Sequence, residues 1–336
     1  MKNMPVILAI ESSCDETSAS VIVDGSVKSN IISTQLVHEK YGGVVPELAS
    51  RAHQQHILPV VDEALKAADV TLDDLSAIAF TRGPGLLGSL LVGTSFAKAL
   101  ALTKNLPLIE VNHMQAHILA HFIDEPRPSF PFLCLTVSGG HTQLVLVSSP
   151  LEMQIIGETM DDAVGEAFDK GAKLLGLPYP GGPMIDKHAA LGNPEAYEFP
   201  ISEIKDLDFS FSGIKTALLY FLQKGVQQDA DFIDKHIDDI CASYQATLIT
   251  TLMRKLKKAA KIHGVNQVAI AGGVAANSGL RKTITELAKL QKWEVFIPKF
   301  EYCTDNAAMI AMAAHYKYLA GEFTDQSVSP MPRYQL

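Results

Sequence analysis

PVILAIESSCDETSASVIVDG, residues 5–25, and FPFLCLTVSGGHTQLVLVSS, residues 130–149, decide the reading of the fold. Each is a short apolar run, a polar turn and a second run of strand character, the signature of a hairpin. The two share little identity, so the repeat is one of pattern. Helical and strand patterns follow each hairpin. PELASRAHQQHILPVVDEALKAA has helical periodicity, LSAIAFTRGPG a strand running into a Gly-Pro turn, GSLLVGTSFAKALAL a helix and LPLIEV a strand. In the second half DDAVGEAFDKGAKLLG is helical and is closed by the breaker run LPYPGGP. DDICASYQATLITTLMRKLKKAAKIHG is a long helix, AIAGGVAANSGLR a strand, glycine turn and helix start, WEVFIPK a strand and CTDNAAMIAMAAHYKYLAG a last helix. Strands alternating with helices predict two α/β layers. The expected division is 1–125, 126–325 and a loose tail over 326–336.

Composition narrows the function. The 336 residues suit two packed subdomains. With 47% hydrophobic and 19% charged residues the chain is an ordered globular protein. The net charge of −9 excludes a general nucleic-acid coat. Arg254, Lys255, Lys257, Lys258 and Lys261 form a basic run on one helix, either a solvated face or a local patch for RNA phosphates. The N-terminus lacks a secretory pattern, and the most apolar stretch is broken by Gly, Ser and Lys98. Cys14, Cys134, Cys241 and Cys303 form no CxxC pair and read as reduced thiols in a cytoplasmic protein.

Glycine turns mark binding positions. VSGGHT, PGGP and AGGVAANSG can each offer backbone N–H groups that a phosphate can approach closely. In the last, Asn277 sits at a helix start, an anion-friendly end with a polar side chain. None matches a Walker loop or GxGxxG. Carboxylates lie beside these turns and the first hairpin: Glu11, Asp15, Glu16, Asp169 and Asp186. Such groups bind ribose hydroxyls or a cation, or simply cap turns and helices.

EVNHMQAHILAH, residues 110–121, spaces His113, His117 and His121 four apart. His113 and His117 are candidates for Zn or Fe. Drift of ~40° for each step of four, ~80° by His121, takes it off their face. Met114 and Gln115 stand where a protease HExxH would place its carboxylate base, which speaks against a metallopeptidase. Asp305 in YCTDN would complete a two-His, one-carboxylate set. His53 and His56 read as helix-surface or entry-path residues.

In this order AIESSCDETSASV, RGPGLLGSLLVGTSFAKALA, NHMQAH, VSGGHTQLV, FDKGAKLLGLPYPGGP, FSFSGIKTA, AGGVAANSGLR and CTDNAAMIA resemble the tRNA N6-adenosine threonylcarbamoyltransferase family, TsaD or Gcp, over about residues 5–325. The resemblance implies the fold of the actin, Hsp70 and sugar-kinase superfamily: two related ribonuclease-H-like subdomains with a nucleotide cleft. It implies transfer of a threonylcarbamoyl group from threonylcarbamoyl-AMP to N6 of the adenosine beside the anticodon, in tRNAs reading codons that start with A, with release of AMP. By motif match His113, His117 and Asp305 would bind one divalent metal, Fe or Zn. Thr136, Val137, Ser138, Gly139, Gly140, Asp169, Gly182, Asp186 and Asn277 would bind the adenylate. The general base stays open among Glu11, Asp15, Glu16 and the substrate phosphate. Implied partners are tRNA, a smaller paralogous TsaB-like subunit and a P-loop ATPase like TsaE, with no membrane. The rival readings are a small-molecule carbamoyltransferase and a non-catalytic nucleotide-binding scaffold.

Overall fold

The computed structural model describes residues 4–202 and 204–336. Its contacts define two units: Met1–Arg127 with Ser149–Met153 and Pro298–Leu336, and Pro128–Ser148 with Gln154–Ile297.

The first unit is built on β1 (Val6–Glu11), β2 (Glu16–Val23), β3 (Ser26–Thr34), β4 (Ala77–Gly83) and β5 (Leu108–Asn112), in the order β3-β2-β1-β4-β5. β1 pairs antiparallel with β2 from Val6–Val23 to Glu11–Ser18 and parallel with β4. α1 (Pro46–Ala67) and α2 (Leu87–Lys104) cover one face, where Leu8 and Ile10 of β1 pack with Ile57, Val61 and Ala97. Alternation along a strand sends Ile7 and Ala9 to the other face. That face takes the last helix, whose first amides at Ala307 and Ala308 donate to Ser18 Oγ and Asn30 Oδ1.

In the second unit β6 (Phe132–Val137), β7 (Thr142–Ser149), β8 (Glu152–Glu158), β9 (Gln267–Ala271) and β10 (Glu294–Phe296) run β10-β9-β6-β7-β8. Taken from the other edge, this is the topology of the first sheet: a three-stranded meander, then two strands added beside its first. The repeat seen in the hairpins therefore extends to the whole sheet.

Helix α3 (His113–Leu119) leaves β5 directly. In the second unit α4 (Val164–Leu174), α5 (Gly181–Ala189), α6 (Ser212–Gln228), α7 (Phe232–His263) and α8 (Ser278–Gln291) precede or follow the strands in chain order; α9 (Ala307–Ala320) is the last helix of the chain.

The structure departs from the sequence pattern at three kinds of place. β3 and β8, the third strand of each meander, have no counterpart among the expected strands; both are edge strands with half-exposed patterns that lack a clean apolar alternation. PGGP, a breaker by sequence, opens α5, where Pro180 precedes the first turn. Residues 298–336 pack with the first unit rather than following linear order, because α9, buried from Ala307 to His315, covers the sheet face that α1 and α2 leave bare. The segment expected to be a loose tail is bonded in place: Lys98 Nζ donates to the Val328 carbonyl at 2.8 Å and Met331 N to that of Arg82 at 2.8 Å.

Candidate functional site

The first unit gathers His113, His117 and Asp305 around one point. Asn112 ends β5 and caps α3; its side chain accepts from Met114 N at 2.9 Å and Gln115 N at 3.1 Å. The histidines therefore begin on the first turn of a helix and sit one turn apart, rings 4.7 Å centroid to centroid and edge-on. Asp305 precedes α9, and its Oδ1 lies 3.3 Å from Nε2 of each histidine. The three ligand atoms fall within 4.8 Å of one another. His121 lies in the next 3-10 turn and is not one of the group, as the drift required.

Behind His113 stands Glu11, fully buried at the end of β1. Its carboxylate accepts from Ser13 N and Thr81 Oγ1, and its Oε2 is 3.1 Å from His113 Nδ1. Burial would raise Glu11, but the adjacent imidazole outweighs it and keeps the carboxylate ionised. An ionised carboxylate only accepts, so His113 Nδ1 carries the proton and Nε2 is left for a ligand. Burial likewise opposes the charge on His113, yet Asp305 and Glu11 raise its pKa well above the usual histidine value. Burial lowers that of His117. Burial would also raise Asp305, but the two imidazoles hold it below the ordinary range.

These residues fit a divalent metal. His117 is buried and, apart from the 3.3 Å approach of Asp305 to Nε2, neither ring nitrogen has a hydrogen-bond partner among the described residues, an unusual cost that coordination would relieve. Ligands about 2.1 Å from a metal and at right angles are about 3 Å apart, close to the 3.3 Å between Asp305 Oδ1 and Nε2 of each histidine.

The remaining first-hairpin residues take different parts. Glu11 is engaged by Ser13, Thr81 and His113. Burial, together with the Asp305 and Asp15 carboxylates, pushes Glu16 up to about 9. His53 is not the surface residue expected: it is buried, with Nδ1 2.8 Å from Thr17 Oγ1 and Nε2 3.0 Å from the Cys14 carbonyl. It supports the hairpin turn. His56 meets Ser33 Oγ at 3.0 Å.

The second unit holds a separate cavity of about 500 Å³ whose lining includes Gly139, Asp169, Gly182, Asp186 and Asn277. Thr136 and Val137 are buried at the end of β6. At the turn, Ser138 N donates to the His141 carbonyl, which removes it from ligand binding. Gly139 and Gly140 face open space, since a Cβ on either would meet nothing within 4 Å. Gly165 lets α4 abut this turn; a Cβ there would lie 2.5 Å from the Ser138 carbonyl oxygen.

The cavity's polar side chains are held by the fold. Asp169 Oδ1 accepts from Gly181 N at 2.8 Å and Gly182 N at 3.3 Å and so caps α5. Its pKa is raised by burial against these amides. Asp186 accepts from Gln245 Nε2 and from the backbone and hydroxyl of Ser278. Asn277 caps α8 through Leu280 N and donates to Gln245 Oε1 at 2.7 Å. The capping role of each carboxylate is therefore real, and each also lines the cavity. Sequence reasoning missed Gln245, which joins Asp186 to Asn277 from the middle of α7; a lone polar residue in a long helix carries no spacing signal. It also missed Lys187, a cation in the lining beside Asp186.

The basic run on α7 is partly tied down. Lys255 Nζ donates to the carbonyls of Ile204 and Asp206, and Lys258 Nζ to that of Asp206. Arg254, Lys257 and Lys261 remain exposed. No disulfide joins cysteines among the described residues, and no helix there is long and apolar enough to cross a membrane.

Comparison with known proteins gives concordant matches. The family model "TsaD: tRNA N6-adenosine threonylcarbamoyltransferase" matches residues 26–312. A protein of Cytophaga hutchinsonii bearing that enzyme name is 61% identical over 330 residues, covering 98% of this chain and 96% of its own. One of Christiangramia forsetii, also so named, is 61% identical over 332 residues, covering 98% of each. Among solved structures, full-length HypF in its phosphate- and nucleotide-bound form superposes with a TM-score of 0.63 at 15% identity, over 95% of this chain and 47% of that one. Component A of (R)-2-hydroxyglutaryl-CoA dehydratase from Acidaminococcus fermentans gives 0.55 at 15% identity, over 94% and 99%. These last two likenesses concern the fold, which is the expected actin, Hsp70 and sugar-kinase type.

Proposed function

The chain belongs to the TsaD family, tRNA N6-adenosine threonylcarbamoyltransferase, and from that membership we propose how its residues carry out the reaction. The enzyme transfers a threonylcarbamoyl group to N6 of an adenosine in tRNA. In our reading the donor is threonylcarbamoyl-AMP and the acceptor adenosine lies beside the anticodon in tRNAs reading codons that start with A. N6 attacks the carbamoyl carbon, the bond from that carbon to the phosphate oxygen breaks, N6 loses a proton and AMP leaves.

The observation that carries this assignment to residues is the convergence of His113, His117 and Asp305 with Glu11 fixed behind them. These three would hold one divalent ion, Fe or Zn, which when bound supplies Lewis acidity and a template for oxygen ligands. The cavity of the second unit would take the adenylate. There the Gly139 amide, with that of Gly140 on the same turn, would meet the leaving phosphate, and preorganised amides of this kind favour the charge that develops on it. Asp169 and Asp186 would address the ribose, Asp169 through Oδ2, which has no hydrogen-bond partner among the described residues. Gly182, Asn277 and Gln245 shape that end of the cavity. An exocyclic adenine amine is a poor nucleophile, so much of the rate would come from positioning. The bonds of Glu11 to Ser13, Thr81 and His113 weigh against its taking this proton, and Glu16, pushed up to about 9, already carries one at neutral pH, so we assign the proton to Asp15 or the substrate phosphate.

Partners in this proposal are tRNA, a smaller paralogous subunit, a P-loop ATPase and a separate synthase for the adenylate, all in the cytoplasm. The test uses the purified chain with these partners, unmodified tRNA and threonylcarbamoyl-AMP. The tRNA is digested and the nucleosides are analysed by mass spectrometry, with Asp305→Ala alongside. Modified nucleoside from the wild type and none from the variant is the expected result. Product formed equally by the variant would remove Asp305 from the reaction. An inactive wild type with both substrates intact would favour a small-molecule carbamoyltransferase.

A further inference from the structure

The segment 328–335 crosses the carboxyl ends of β4 and β5 and is held along its length. Arg82, near the end of β4, donates through Nε to the Ser329 carbonyl at 3.0 Å, pairs with Glu110 at 2.7 Å and lies 5.1 Å over the Tyr334 ring. Gly85 N donates to the Pro332 carbonyl at 3.2 Å, and Tyr334 Oη to Glu110 Oε1 at 3.2 Å. The approach is close enough that a Cβ on Gly83 would overlap the Met331 carbonyl. The segment then ends on Asn112, whose Nδ2 donates to the carbonyls of Tyr334 at 3.3 Å and Gln335 at 3.1 Å.

Asn112 is the residue that caps α3. Its Oδ1 accepts from Met114 N and Gln115 N while its Nδ2 holds the tail, so one buried amide group makes four bonds, its full capacity. Only one bond, about χ2, turns that amide plane. Tethering Nδ2 to the tail therefore also fixes where Oδ1 meets the helix. α3 has seven residues, too few to hold itself, and its seating depends on caps and packing.

We propose that the C-terminal segment is a positioning element for the metal centre: through Asn112 it seats the first turn of α3 so that His113 and His117 face Asp305. This rests on the reading of those three residues as metal ligands. In the intact molecule the tail and the helix cap form one network, and such networks are worth more together than bond by bond.

The experiment compares the full chain with one ending at Ser329, with Asn112→Asp, and with the two combined. Asn112→Asp keeps an acceptor for Met114 and Gln115 but has no donor for the tail. Co²⁺ affinity is read from its ligand-field absorbance, amide exchange at Met114 and Gln115 by mass spectrometry, and AMP affinity serves as the control. Loss of such outer contacts costs about 10–100-fold in metal affinity, and that loss is expected for truncation with AMP affinity unchanged. Exchange at the two amides should quicken, and truncation in the Asn112→Asp background should add nothing further. The proposal is overturned if the truncated chain binds Co²⁺ as tightly as the full one. It is equally overturned if truncation costs the same in both backgrounds, because the coupling would then bypass Asn112. If truncation impairs folding, Tyr334→Ala replaces it in the same cycle. A full chain that binds no Co²⁺ defeats the metal reading itself, and amide exchange alone then decides whether the tail seats the helix.

Discussion

Glu11 Oε2 lies 3.1 Å from His113 Nδ1, and with it the end of β1 sets which nitrogen of that ring faces Asp305. Metal-bound histidines commonly have such a carboxylate behind them, and its loss costs about 10–100-fold in metal affinity. Glu11→Gln keeps the shape and, with its oxygen in the place of Oε1, still accepts from Ser13 N, but an NH₂ then stands where Oε2 met Thr81 and His113, and the charge that fixes the imidazole is gone. The expected outcome is metal affinity weakened within that range with a near-native melting temperature. Unchanged affinity in a metal titration would show that the contact is incidental.

Proton release should accompany metal binding. Burial opposes a charge on His113, but Asp305 and Glu11 overcome it, so without metal the ring is protonated at neutral pH. His117 is lowered by burial and is already neutral. A metal at Nε2 of His113 must displace that proton, while Asp305, held ionised, has none to lose. Affinity should therefore rise with pH through neutrality with about one proton released per metal, flattening above the raised histidine value. Calorimetry in buffers of different ionisation enthalpy counts the protons. A count near zero at pH 7 would contradict the assigned charge on His113.

Asp161 holds the start of α6. It accepts from the hydroxyls of Ser210 and Ser212 and from the backbone N–H of Phe211 and Ser212. Burial would raise its pKa, but these donors hold it below the usual carboxylate range. Its folded value is thus depressed, so its contribution is present above the unfolded value and is lost as pH falls through the folded one. Asp161→Ala should cost about 1 kcal/mol at pH 7, as for other helix caps. Denaturant melts of variant and wild type should converge toward pH 3. A difference that persists undiminished there would show that the stabilisation does not depend on the ionised carboxylate.

Much of the fold was legible because both hairpins and the crossing helices carry strong apolar periods. β3 and β8 were not, since an edge strand buries too little to impose a pattern. At the site, the spacing of His113 and His117 was readable because a helix converts a step of four into a shared face. Asp305 comes from far along the chain; its place at the opening of the last helix offered it as a third ligand, and the family pattern agreed. Gln245 and the tail bonds to Asn112 arise from packing between distant segments, so neither has a local signature. The roles of Asp169, Asp186 and Asn277 were ambiguous in sequence for a physical reason: in each, the bond that caps a helix also builds a wall of the cavity.

Gly139 and Gly165 differ in a way that separates binding from packing. A Cβ on Gly139 would meet nothing within 4 Å, whereas one on Gly165 would press on the Ser138 carbonyl oxygen and on Gly139 itself. Gly139→Ala should thus leave stability within about 0.5 kcal/mol, as for other changes made away from packed contacts. It should still weaken AMP binding, because the methyl group would stand where a phosphate approaches the turn. Gly165→Ala must shift α4 away from the turn, and overpacking of this kind costs about 1–3 kcal/mol. It should lower both stability and AMP affinity. Isothermal titration with AMP and thermal melts of both variants decide the matter. If Gly139→Ala binds AMP as the wild type does, the open space at the turn is not the phosphate site, and the adenylate must be placed elsewhere in the cavity.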